Sequence, residues 1–228
     1  MTTETAAPAS LVGGPELPQE RRLSPVAGEL IDGWLRDAGV VIRPSLTATS
    51  FEHLAGSTLV HVEDGSSFEV GHVVVATGAE PNVALAELAG LVTDEGVSVD
   101  ASMRTTAADV FAVGDVAKAH NPAAGRALRV EHWGDAEAMG RVAGSVLAGQ
   151  TDEWAEVPGF WSSITGHQLK YVSWGDGWNH VTARRSADGI TVWYGTDGIT
   201  VGVLTHNHDE DLELGRALIA SRSPFPPM

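Results

Sequence analysis

Three Asp-Gly pairs, Asp176-Gly177, Asp188-Gly189 and Asp197-Gly198, cut residues 168–206 into four β-rich runs. Asp-Gly between such runs supplies the positive backbone angles that tight hairpins need, so the spacing predicts an antiparallel meander. A helix over about 209–220 closes it, with acids at its start and Arg216 later, as the helix dipole favours. Between strand and helix stands His206-Asn207-His208-Asp209-Glu210-Asp211. Alternating histidines followed by carboxylates could hold a divalent ion. The plainer reading is a strand entering an acidic first turn capped by Asn207 or Asp209. The sequence assigns no metal ligand and no catalytic residue.

The rest of the chain has a different character. Residues 1–22 are small and polar, with Pro8, Pro15 and Pro18, and read as a loose arm. Ser24 as cap and Pro25 in the first turn then open a helix carrying Val26, Leu30, Ile31, Trp34 and Leu35 at helical spacing, ended by Gly39. Short strands are expected at Val40–Arg43, Thr58–Val62 and, after an Asp64-Gly65 turn, Phe68–Val70. Val73-Val74-Val75-Ala76 is a continuous apolar run of the kind buried on both faces of a parallel sheet. A short helix at Ala84–Leu88, a strand at Val110–Val113 ending in Gly114-Asp115, and a helix over about 135–148 capped by Gly149 follow. Composition shifts near 151–156, which marks a boundary.

Composition excludes several chemistries. The 228 residues contain no cysteine, so there is no thiol nucleophile, disulfide or Cys-ligated metal. The 30 acids against 14 bases leave a net charge of −16, which argues against nucleic acid or an anionic membrane as partner. No uncharged apolar stretch reaches the roughly 18–20 residues of a membrane helix. The start, MTTETAAPAS, has neither the basic nor the apolar region of a secretory signal, so the expected location is cytoplasmic. There is no GxGxxG, no phosphate-binding P-loop motif and no GxSxG elbow; Gly175-x-Gly177 opens no helix.

Four segments together resemble one family: VVVATGAEPNVALAELAGL (73–91), MRTTAADVFAVGDVA (103–117), RVEHWGDAEAMGRVAGSVLAG (129–149) and VPGFWSSITGHQLKYVSWG (157–175). They are similar to the flavoprotein reductases that feed ferredoxins and rubredoxins, and to the related apoptosis-inducing-factor group. The resemblance covers roughly residues 12–220. It implies an α/β fold of partial FAD- and NAD(P)-binding domains followed by a C-terminal α+β domain. The implied division is a flexible arm at 1–11, the end of an NAD(P)-binding domain at 12–80, the closing part of an FAD-binding domain at 81–150, and a C-terminal dimerisation-type domain at 151–228.

The same resemblance implies roles for individual residues. Gly114 and Asp115 would meet the ribityl or pyrophosphate region of FAD. Glu131 and Trp133 would lie at the isoalloxazine and nicotinamide, and Trp161 would cover the flavin. The helix after Trp133 would point its N-terminus at the pyrimidine edge. Thr77 and Gly78 would border the NAD(P)H groove. His132 reads as a packing or hydrogen-bonding residue, and Asp135 stands where the family more often has Asn. Trp133 and Trp161 could instead be core aromatics.

The departure from the family is the absence of both glycine-rich dinucleotide fingerprints. The implied function is an FAD-dependent NAD(P)H oxidoreductase that passes electrons to a ferredoxin or rubredoxin, here with only its back half. The chain alone is expected to bind FAD weakly or not at all, and to turn over NADH only if a separate chain supplies the front half. The alternative is a non-catalytic remnant or interaction module.

Overall fold

The computed structural model describes residues 8–14, 16–93 and 96–226. They fall into two compact units, 1–78 with 163–167, and 79–162 with 168–228.

In the first unit, β1 (Ser10–Val12) is followed by α1 (Glu20–Leu23), α2 (Pro25–Asp37), β2 (Val41–Arg43), β3 (Ala48–His53), β4 (Thr58–Val62) and β5 (Ser67–Val70). β1 pairs with β2 in parallel, so the loose arm expected over 1–22 is overturned from Ser10 onward; residues 1–7 and 15 lie outside the described residues. α2 forms where its periodicity predicts, with Pro25 in the first turn and Ala27, Ile31 and Trp34 buried. Ser24 does not cap it with its side chain. The Ser24 N–H bonds to the Glu20 carbonyl and its own carbonyl accepts from Gly28, so it closes α1 while opening α2, at φ +83°. β3, β4 and β5 make an antiparallel sheet, and β4 alternates buried Thr58, Val60 and Val62 with half-buried Leu59 and His61.

Beyond β5 the expected strand is missing. Val73–Ala76 pairs with no strand among the described residues, and Val74 is 89% exposed. The apolar run has the composition of a buried strand but no neighbour to complete its ladder, and a lone strand has nowhere to place its backbone hydrogen bonds except water.

The second unit opens with α3 (Ala84–Leu88), β6 (Val92–Thr93), β7 (Gly96–Val99), β8 (Ala117–Asn121), β9 (Arg126–Arg129) and α4 (Trp133–Leu147). The sheet order is β6-β7-β8-β9, with β7 and β8 parallel. α4 buries Ala138, Met139, Val142, Ala143 and Val146 in one cluster with Val97, Val99, Ala117, Ala119, Leu128 and Trp154. The strand expected at Val110–Val113 is also absent. Phe111 makes a single bridge to Arg104, whose guanidinium lies over the Phe111 ring. The Thr105 hydroxyl ties the intervening loop to Ala107 and Val110, which leaves too little chain to extend a ladder. Gly114–Val116 is a 3-10 turn leading into β8, not a strand end.

The remaining strands are β10 (Gly159–Ile164), β11 (His167–Ser173), β12 (His180–Arg185), β13 (Ile190–Thr196) and β14 (Ile199–His206), ahead of α5 (Asp209–Ala220). Asp188-Gly189 and Asp197-Gly198 do make hairpins, β12–β13 and β13–β14. Asp197 and Gly198 both have positive φ, as a two-residue hairpin requires. The meander expectation fails at Asp176-Gly177. The order is β10-β11-β14-β13-β12, so β11 and β12 are not neighbours and β14 lies between β11 and β13. Asp176 is held by an ion pair with Arg126 rather than by a hairpin ladder. α5 buries Leu212 and Ile219 with Val172, Trp193 and Val203 of the sheet. Among the described residues, no helix is long and apolar enough to cross a membrane.

Candidate functional site

Six of the residues singled out in the sequence gather around the start of α4 in the second unit. His132 is extended (φ −124°, ψ 138°), and the helix begins at Trp133. The Trp133 side chain points away from the core and is 71% exposed; Trp161 on β10 is 53% exposed. Their rings meet edge to face, with centroids 5.7 Å apart and planes at 89°. Edge-to-face contact is a favoured aromatic geometry, yet two large exposed indoles side by side serve no core. The core-aromatic alternative for these two residues is therefore overturned.

The Gly114 turn lies against the same helix end. Its φ of +73° suits glycine, and a β-carbon there would stand 3.4 Å from the Ala136 side chain in the first turn of α4. Asp115, next in the turn, is exposed. Glu131 is exposed and pairs with Arg129 at 2.6 Å. Thr77 and Gly78 are not part of this grouping; they are exposed in the first unit.

Three supporting residues were not singled out as site residues from the sequence. The Asp135 carboxylate is nearly buried and accepts two hydrogen bonds through Oδ2. One comes from His132 Nδ1 at 3.1 Å, the other from the Gly159 N–H at 3.2 Å. Gly159 starts β10 so close to β11 that a β-carbon would strike Val172 and the Tyr171 carbonyl. Phe160 rests on the His132 ring, with centroids 5.2 Å apart. The available signal was a His-x-x-Asp spacing at a helix start, which puts both side chains on one face of the first turn.

The His206–Asp211 segment resolves differently. α5 is preceded by His208 and carries no side-chain cap, so neither Asn207 nor Asp209 plays that part. Asn207 instead donates to the Asp188 carbonyl at 2.7 Å. His206 Nδ1 donates to the Gln168 carbonyl at 2.7 Å. The His208 ring bonds Thr191 at 2.8 Å and Ser186 at 2.9 Å. Among the described residues, no three His, Asp or Glu side chains converge as a metal site. A cavity of about 540 Å³ lies here, and four of its charged side chains pair with one another, Lys170 with Asp209 at 2.7 Å and Arg184 with Asp211. Burial pushes the Asp211 carboxyl up; hydrogen bonds from Thr191 and Arg184, with the Arg184 and His208 charges, outweigh it and hold the group below its ordinary value.

The family model described as pyridine nucleotide-disulphide oxidoreductase matches residues 10–140. The ferredoxin–NAD(+) reductase component of the anthranilate 1,2-dioxygenase system of Burkholderia cepacia is 34% identical over 205 residues, covering 89% of this chain and 50% of that protein. Putidaredoxin reductase CamA of Pseudomonas putida is 29% identical over 213 residues, covering 91% of this chain and again 50% of the relative. The chain thus spans about half the length of the curated relatives it matches. Among solved structures, a ferredoxin reductase from Rhodopseudomonas palustris superposes with a TM-score of 0.85 at 25% identity, over 96% of this chain and 55% of that one. The reductase of a covalent putidaredoxin reductase–putidaredoxin complex gives 0.85 at 27% identity, over 94% and 53%.

Proposed function

The chain belongs to the pyridine nucleotide-disulphide oxidoreductase family, and we propose that it supplies the back half of an FAD-dependent NAD(P)H oxidoreductase passing electrons to a ferredoxin- or rubredoxin-type protein. The observation that carries this reading is the exposed Trp133–Trp161 pair at the N-terminus of α4, beside the Gly114–Asp115 turn. Aromatic faces, a helix N-terminus and a close-approach glycine suit the ring end of a flavin. The pyrophosphate end is different: the sequence offers no glycine-rich strand–turn–helix to cradle it.

When bound, FAD would supply the chemistry that links two-electron exchange with a nicotinamide to single-electron delivery. The chain's own residues set the conditions for that. Trp133 and Trp161 would cover the ring and keep water from it. The first-turn N–H groups of α4 favour the negative charge that reduction places there. Asp115 would accept hydrogen bonds from ribityl hydroxyls or face the pyrophosphate region, and Glu131 with Trp133 would lie at the isoalloxazine and nicotinamide. Thr77 and Gly78 border the NAD(P)H groove. In this reading residues 12–80 close an NAD(P)-binding domain, 81–150 close an FAD-binding domain and 151–228 form the C-terminal α+β domain. The protein works in the cytoplasm, and its −16 charge turns it away from nucleic acid and anionic membranes.

Reconstitution tests the proposal. Co-expression with the front half of the Burkholderia cepacia relative is expected to give a yellow complex that reduces ferredoxin with NADH, while the chain alone stays colourless in added FAD. Absence of both complex and colour overturns it. The exposed Val74 and Val75 favour a second reading, a non-catalytic interaction module; a stable but colourless complex would select that one.

A further inference from the structure

The Trp133–Trp161 pair is built from two elements, the first turn of α4 and the start of β10. Each indole is more than half exposed, so packing from the core does not fix either ring. An exposed side chain with two free torsions samples several rotamers, and an edge-to-face pair persists only where the two backbones are held in register. Side-chain contacts between these two elements therefore decide whether the aromatic surface exists.

The Asp135 carboxylate makes such a contact. At the start of α4 it takes the hydrogen bond from Nδ1 of the capping-position His132, and across 24 residues of chain it takes the Gly159 N–H. Its side chain is 6% exposed and that of His132 is 14% exposed, so water competes weakly for either bond. Two consequences follow along β10. Phe160, one residue on, lies against the His132 ring at 5.2 Å. Trp161, two residues on, reaches Trp133 and lies over Gly134, where an added β-carbon would stand 3.5 Å from Cζ3. The order along one strand is thus Gly159 held by Asp135, Phe160 held by His132, and Trp161 delivered to Trp133.

We infer that Asp135 is a positioning residue: it fastens the start of β10 to the first turn of α4 and so sets Trp161 edge-on to Trp133. Its relevance to electron transfer rests on the reading that these indoles cover a flavin, but the positioning itself does not depend on any cofactor. A carboxylate suits the place because it accepts two hydrogen bonds on one oxygen and stands in the first turn of a helix, where negative charge is favoured. An amide oxygen could accept the same two bonds, so Asp135→Asn should preserve the arrangement, whereas Asp135→Ala should release it.

The test uses the far-ultraviolet circular-dichroism couplet that two coupled indoles produce, recorded on the chain without flavin. Trp133→Phe and Trp161→Phe identify the contribution of this pair among the seven tryptophans. The expected result is that Asp135→Ala loses more than half of that contribution and Asp135→Asn keeps it. A couplet undiminished in a folded Asp135→Ala overturns the proposal, as does its loss in Asp135→Asn. Amide exchange in the wild-type chain provides a reading that needs no variant. The Gly159 N–H is expected to exchange at least about fivefold more slowly than the same amide in an unstructured peptide of its own sequence, as one retained hydrogen bond implies. Equal rates overturn the proposal. Neither measurement changes if reconstitution with a front half fails, so the two ideas stand or fall separately.

Discussion

Val73–Ala76 and the hairpin β13–β14 are both dominated by β-branched and small apolar residues, and they meet opposite fates. In the hairpin, Val192, Val203 and Leu204 are fully buried, because each strand has a neighbour on both sides and α5 covers one face. In the first run, Val74 and Val75 stand in solvent with no paired strand among the described residues. Apolar continuity states a preference for burial on two faces, but only adjacent strands can satisfy the backbone that burial would strip of water. The difference lies in the company the residues keep.

Deleting apolar volume in each region should expose that difference most strongly. Leu204→Ala removes side chain from a fully buried position and is expected to cost about 3 kcal/mol of unfolding free energy, read from denaturant melts. A cost below about 1 kcal/mol would mean that the hairpin is no better packed than the exposed run.

Acid gives a smaller and graded effect, confined to the hairpin's domain. The Asp211 carboxyl is held below its ordinary value in the fold, so it contributes stability above the carboxylate range. That contribution is lost as pH falls through about 4 toward the folded value. The melting temperature of the wild-type chain should therefore fall on acidification more steeply than that of Asp211→Asn, and parallel curves would break the assignment.

The smallest effect on the isolated chain belongs to the exposed run. Val74→Asp should leave its stability within about 0.5 kcal/mol, since the side chain touches nothing that folding buries. The same change should abolish assembly with a front half if the run is a strand awaiting neighbours. Unimpaired assembly would show that Val74 stays outside the reconstituted sheet.

Much of the fold was legible because its signals are local. Helical spacing with Pro25 gave α2, and the periodicity of 209–220 gave α5. Asp197-Gly198 gave its hairpin because a two-residue turn fixes both the reversal and the register. The failures are non-local. Nothing within residues 168–206 says that β14 enters between β11 and β13, because strand order depends on which faces find a partner. β3 was missed because all six of its residues are exposed and carry no alternation. At the site, Trp133 and Trp161 were singled out through the family resemblance of their segments, and the structure finds them exposed and in contact. Asp135 and Gly159 were not singled out there, since a contact across 24 residues leaves no periodic trace.

The strand order also sets a timetable. β11 leaves the ribosome before β12, but its partner β14 is made three strands later. Until residue 206 is available, β10–β11 and β12–β13 are two separate ribbons, each with an open edge that invites pairing with another molecule. The sheet closes only when its last-made strand slides between them. A chain arrested between Thr196 and His206 is therefore a pair of sticky fragments awaiting a wedge, and loss of a few C-terminal strand residues should harm solubility far more than the loss of as many from the opening residues.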